Sequence, residues 1–329
     1  MKASRHDYVV GALLALLTAA CLSSQEALSG PAARKLSGAQ FVLVTEIALL
    51  VAAPLFLLRK DSRRDFGLIV SSAKGRWRLA ALTAVGLVGL TLYNLGLRNA
   101  HPVVVTAILN LSPFWAALAA RVVAGVRIPV GLPVFALSLI AAFAGTLAVA
   151  YSQTPPDGSG WSAMLTKGSW YFAIPVPLCT ALNGTLVGVW FNNRRDEAAI
   201  AAALIAPALA LIPLIGLYLL VRGDGFAIDL PSAAMLAAGA ITAAGIGRLL
   251  YQFALTRTGE DNGFVTMFFL LGPALSGLYS WLLSNWVEGA RFAANGVYFL
   301  GLAITAAALF FFANRARTAA REPDSAGKV

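Results

Sequence analysis

The sequence predicts an all-α integral membrane protein, ten transmembrane helices arranged as two inverted five-helix repeats, and three observations lead there. Of the 329 residues, 59% are hydrophobic and only 12% are charged, where an ordinary soluble domain carries about 25% charged residues. Apolar runs of about 20 residues recur along the chain, each long enough to cross a hydrocarbon core of about 30 Å. The third observation is duplication: the grammar of the stretch from Leu92 to Pro129 returns in the stretch from Leu250 to Ala290.

Ten spans can be drawn, at 8–28, 39–58, 78–98, 103–124, 130–151, 170–191, 199–221, 233–255, 263–284 and 293–313. Lys2, Arg5 and the run from Tyr8 to Ala20 before Cys21 have the outline of a signal peptide, even a lipoprotein one. The apolar stretch continues to Leu28 and nine further spans follow, so it reads as an uncleaved first helix. Residues 1–152 form the first repeat. A Pro/Gly/Ser-rich outer linker, 153–169, joins it to the second repeat at 170–313. The tail, 314–329, is rich in Ala, Arg and small polar residues and is expected to be a disordered cytoplasmic segment.

In the first copy of the duplicated grammar an apolar run reaches Tyr93-Asn94, a polar connector (Arg98, Asn99, Ala100, His101, Pro102) follows, and the next run carries Thr106 and then Pro113. In the second copy Tyr251-Gln252 stand for Tyr93-Asn94, the connector runs from Thr256 to Asn262, and Thr266 and Pro273 repeat the Thr-to-Pro spacing. A repeat of so long a period points to two halves of one transporter and not to a solenoid. Five spans is an odd number, so the second half enters the membrane from the side opposite to the first.

Lys and Arg choose the orientation. With the N-terminus in the cytoplasm, eighteen basic residues fall on that side and six on the other, which obeys the positive-inside rule and makes both termini cytoplasmic. Trp77, Trp161, Trp170, Trp190, Trp281 and Trp286 fall near span ends, where an indole keeps its ring apolar and its N–H wet, whereas Trp115 lies mid-span.

The net charge of +10 sits in loops beside apolar spans, a pattern of lipid topology and not of nucleic-acid binding. Cys21 and Cys179 both fall inside spans, so no disulfide framework is implied. The two histidines, His6 and His101, lie outside the spans. There is no metal spacing, nucleophile elbow or phosphate loop, so neither an enzyme nor a cofactor is expected.

Two inverted halves of five helices, each with the Tyr-amide connector followed by a helix carrying Thr then Pro, resemble the drug/metabolite transporter superfamily, in particular its EamA-type members. The resemblance covers nearly the whole chain. It implies carrier-mediated movement of a small metabolite across the plasma (inner) membrane, often export, by alternating access. Substrates in that family range from amino acids to drugs and nucleotide-linked compounds. EamA-type proteins commonly carry a Glu after the fourth and ninth helices; here Gly125-Val126-Arg127 stands in the first position and Val287-Glu288 in the second.

Polar groups on membrane helices are costly unless paired or wetted, so they form the natural site list. Arg248 is the sharpest. An Arg near mid-membrane costs about 2.5–3.5 kcal/mol on insertion scales, and Tyr251 and Gln252 follow on the same helical face. Arg248 is suited to fork onto a carboxylate or phosphate; alternatively it pairs with an internal carboxylate or carbonyls, or snorkels to the interface. Glu46 and, nearer the surface, Glu26 are candidate coupling carboxylates for a proton; Glu46 could equally be a fixed partner of Arg98 or Asn110. Asn94, Tyr93, Asn110, Trp115 and Asn183 complete the candidate substrate contacts, with interhelical packing as the alternative. Pro113 and Pro273 are candidate kinks for gating. Gly86, Gly89 and Gly96 are read as points of close helix approach.

The expected partners are a small-molecule substrate, the bilayer and a coupling proton or counter-solute; the sequence is silent on oligomeric state. The competing class is an assembly or lipid-handling membrane protein whose polar residues serve only helix association. Whether Arg248, Tyr251, Gln252 and Asn110 share one void separates the two.

Overall fold

A computed structural model describes residues 5–125, 128, 130–153, 170–192, 194–222, 227–258, 265, 267–284 and 292–321. Among the described residues the regular structure is entirely helical, and nine helices are long and apolar enough to cross a membrane, with a shorter apolar helix at Phe268–Leu283. The helices are α1 (Arg5–Lys35), α2 (Gly38–Ala52, continued by a 3-10 turn at Ala53–Leu57), α3 (Lys60–Ser71), α4 (Ala73–Asn99), α5 (Pro102–Leu109), α6 (Ser112–Ala124) and α7 (Leu132–Ser152). After a 3-10 turn at Trp170–Ala173 come α8 (Val176–Phe191), α9 (Asp196–Arg222) and α10 (Leu230–Ala240), which passes through a π-helical turn, Ile241–Gly247, into α11 (Arg248–Arg257). A 3-10 turn at Phe268–Leu271 leads into α12 (Gly272–Leu283), and α13 (Gly296–Arg321) closes the chain.

Local chemistry sets the boundaries. Ser37 caps α2 in a capping box, its hydroxyl accepting from the Gln40 N–H while the Gln40 side chain accepts from the Ser37 N–H. Asp229 caps α10 by accepting from the Ser232 N–H and hydroxyl, and those bonds hold its carboxyl below the usual carboxylate range. Gly125 takes φ +67° at the C-cap of α6, a conformation that favours glycine.

Several boundaries differ from the sequence expectation. The stretch 59–77, read as a connector, contains α3, which turns Phe66, Ile69 and Val70 onto Leu79, Leu82, Phe191 and Ala198. Its charged side and the Arg59 before it are tied to the start of α9 and the loop leading into it: Arg59 pairs with Glu197 at 3.0 Å, Arg195 with Asp61 at 3.3 Å and Arg194 with Asp65 at 3.6 Å. The tail expected to be disordered continues α13 as helix to Arg321, because Ala, Arg and Thr there extend the last span without a breaker. Trp170, assigned to the interfacial belt, is instead buried in the core beside Ala173 and Val176. The linker 154–169, Arg127, Thr266, Trp286, Val287 and Glu288 lie outside the described residues.

The helices pack in a defined set of pairs. α1 lies against α10, the π-helical turn and α11, and against α12; α4 and α6 lie against α8; α2 and α4 both pack on α9; α5 meets α12, and α7 meets α13. Glycines make the closest approaches. A β-carbon placed on Gly247 would stand 3.2 Å from the Cys21 β-carbon, and one on Gly89 would stand 3.0 Å from the Cys179 β-carbon. Gly145 and Gly301 cross so closely that a β-carbon on either would come within 2.6 Å of the other's carbonyl oxygen.

Candidate functional site

Two broken helices meet inside the bundle. The run expected to be one continuous fourth span ends as α5 at Leu109 and restarts as α6 at Ser112, with Pro113 in the first turn; the ninth passes from its 3-10 turn into α12 at Gly272 with Pro273 in the first turn. Pro lacks an N–H and clashes with the preceding turn, so each helix restarts where its Pro is tolerated. Asn110 sits at the first break. A β-carbon on Gly272 would lie 3.2 Å from Asn110 Oδ1, 3.4 Å from its Nδ2 and 3.5 Å from Ser23 Oγ, so both breaks converge on α1. Asn110 Nδ2 is buried without a hydrogen-bond partner.

Arg248 opens α11 directly after the π-helical turn. Its neighbour Gly247 faces Cys21 and Leu22 on α1, while Gly245 faces Ala52 and Leu55 at the end of α2. The exposed Ile246 and Phe253 mark the outward side of this helix. At about 100° per residue, Arg248 stands about 200° round from Ile246 and about 140° from Phe253, away from that outward side. Its side chain keeps exposed surface. No hydrogen bond or ion pair joins it to any described residue. Tyr251 and Gln252 are half-buried on neighbouring turns, and the Tyr251 ring lies 5.8 Å from that of Phe269.

Glu26 on α1 is 5% exposed, and the Tyr93 hydroxyl of α4 lies near it and beside the Ser29 hydroxyl. Glu26 Oε2, Ser29 Oγ and Tyr93 Oη are all buried without a hydrogen-bond partner. Along α1, Cys21 is level with Gly247, Ser23 with the crossing of the broken helices, and Glu26 and Ser29 with Tyr93. That places the three polar groupings within about 12 Å along one helix axis.

The remaining candidates separate. Tyr93 and Asn94 both lie towards α2: the Tyr93 ring stands 6.3 Å from that of Phe41, with its hydroxyl towards α1, and Asn94 faces Gly38 at the start of α2. Glu46 is buried with Oε2 unpartnered and forms no ion pair with Arg98. Arg98 instead donates to the Leu36 carbonyl at 3.2 Å, at the C-terminal end of α1. Asn183 donates to the Leu82 carbonyl at 3.4 Å, tying α8 to α4, and Trp115 Nε1 is buried without a partner. Cys21 and Cys179 are free thiols, each opposite a glycine. No group of three metal-ligating side chains occurs among the described residues.

Sequence reasoning missed Ser23 and Ser29, whose short hydroxyls are common in apolar helices, and the partnering of each cysteine with a glycine. That second signal is present in the letters: Cys21 and Cys179 are 158 residues apart, as are Gly89 and Gly247.

No family model matches the sequence, and no curated protein matches it. A solved structure described only as "Crystal structure of protein" aligns with 96% of this chain and 99% of its own, at a TM-score of 0.55 and 20% sequence identity. At that identity the likeness concerns the fold alone.

Proposed function

We propose that this chain is a secondary transporter of the EamA type, moving a small metabolite with an anionic group, such as an amino acid or related compound, by alternating access of two inverted five-helix halves. In this reading it resides in the plasma (inner) membrane with both termini in the cytoplasm. The observation that carries the proposal is Arg248: a guanidinium on a membrane helix, turned from the outward side, accessible and uncommitted. An Arg at that depth is costly unless it is paired or wetted, and Arg248 has no partner among the described residues.

The packing supports the inverted halves. At a constant offset of 158 residues, Cys21 against Gly247 becomes Cys179 against Gly89, and Ala15 clustered with Ala254 becomes Ala173 against Gly96. α1 on α12 has its mate in α8 on α6, and α2 on α10 has its mate in α9 on α4. The pairs α2–α9 and α7–α13 map onto themselves.

The test is flux in proteoliposomes loaded with a fractionated metabolite extract. The wild-type protein should move at least one anionic solute, and Arg248→Ala should weaken its apparent affinity by roughly ten- to a hundredfold, the loss of a charge-assisted hydrogen bond of about 1.5–3 kcal/mol. A protein that inserts normally but moves no solute would favour the assembly or lipid-handling reading.

A further inference from the structure

We propose that the groove enclosed by α2, α4 and α9 is a binding site for one anionic phospholipid, its phosphate held at Arg98 and Asn94 and one acyl chain laid along α4. The groove has a volume of about 360 Å³ and is lined by Gly38, Ala39, Val42, Leu87, Thr91, Asn94, Leu95, Arg98 and Ile215. It rests on the membrane-spanning reading of the helices and not on the transport proposal.

Three observations identify the occupant. The first is the distribution of chemistry. Both donors lie towards one end, where Asn94 is 3% exposed with Nδ2 unpartnered and Arg98 has a buried Nε without a partner. The walls below them are Val42, Leu87 and Ile215, so the site asks for an acceptor-bearing, negatively charged head and an apolar tail. The second is length. From Arg98 to Leu87 is eleven residues of α4, about 16 Å along the axis, which matches the half-thickness of a hydrocarbon core of about 30 Å. The third is surroundings: on the same three helices Ile47, Val51, Val88 and Leu214 are exposed apolar side chains, so the groove opens where acyl chains lie and not into water.

The groove is not a by-product of the repeat. At the 158-residue offset, Val42, Thr91 and Ile215 correspond to Ile200, Leu249 and Leu57, and each of those packs against the buried cluster of Ala53, Phe56, Ala201 and Leu204. Larger side chains fill the equivalent place in the other half; here Val and Thr leave it open. Arg98 has no counterpart guanidinium either, since Thr256 takes its position.

The experiment is thermal unfolding in mild detergent with added phosphatidylglycerol or phosphatidylcholine, together with native mass spectrometry of protein released from vesicles containing both lipids. Phosphatidylglycerol should raise the melting temperature of the wild-type protein more than phosphatidylcholine does, and one molecule should remain bound. Arg98→Gln should reduce its retention several-fold. Val42→Trp, which fills the groove without touching a charge, should do the same while the protein stays folded. Arg222→Gln, outside the groove, should leave retention unchanged. Equal retention of the two lipids, or undiminished phosphatidylglycerol binding in both Arg98→Gln and Val42→Trp, would overturn the assignment whatever becomes of solute flux.

Discussion

Asn110 and Gly272 face each other where two broken helices cross: a β-carbon on Gly272 would stand 3.2 Å from Asn110 Oδ1 and 3.4 Å from its Nδ2. An added methyl at that distance requires its neighbour to give by a few tenths of an ångström. Gly272→Ala should therefore push the Asn110 amide from its place and slow flux roughly tenfold, about 1.4 kcal/mol of barrier. Adding Asn110→Ala makes room again, so a double variant that recovers part of the lost rate in the proteoliposome assay would locate the effect at this contact. A double variant slower than either single change would put it elsewhere.

Gly30 has no room for a side chain, since a β-carbon there would meet Pro102 Cγ at 2.5 Å. Gly30→Ala should therefore destabilise the protein by about 1–3 kcal/mol, read as a lower melting temperature in detergent. An unchanged melting temperature would show that α1 and α5 part at no cost.

The crossing of α7 and α13 is close for a different reason. A β-carbon on Gly145 would lie 2.4 Å from Thr305 Oγ1 and 2.6 Å from the Gly301 carbonyl. Small residues let backbones approach in lipid, where no hydrophobic force drives helices together. Gly145→Leu should separate the pair and lower stability by more than about 2 kcal/mol, measured as loss of folded protein after heating in detergent. Unchanged recovery would mean that the crossing is not needed for the fold.

The ion pairs between α3 and the loop before α9 look strong in number but are weak in energy. Arg59 and Arg195 are exposed, and exposed pairs contribute about 0–1 kcal/mol each, screened further by salt. Asp61→Asn or Glu197→Gln alone should therefore shift stability by less than about 1 kcal/mol. The buried Ile69 of the same helix should matter more, with Ile69→Ala costing about 2–5 kcal/mol. A melting-temperature series over the three variants checks the order.

Hydropathy and charge were enough to read the long helices, because a run of apolar letters about 20 residues long has few other uses. Pro113 and Pro273 marked candidate kinks because Pro acts locally, but that the helices stop and restart there was not legible. What was not legible depended on which way a face turns. α3 hides because an amphipathic helix of twelve residues lying between two spans carries no hydropathy peak. Glu46 was offered Arg98 or Asn110 as partners from estimated depth alone, and depth says nothing about azimuth. The continuation of α13 to Arg321 was missed because low hydrophobicity signals exposure, and an exposed helix shares that signal with coil.

The most direct test of the central claim is water access at position 248. In a Cys21→Ser, Cys179→Ser background, Arg248→Cys would be treated with a charged, membrane-impermeant thiol reagent applied separately to each side of sealed vesicles. The account predicts rapid modification from one side, slowed by the transported solute, with Ile246→Cys on the outward face of the same helix unreactive. If position 248 reacts from neither side, or only as slowly as position 246, the guanidinium faces no aqueous chamber and the transport reading falls.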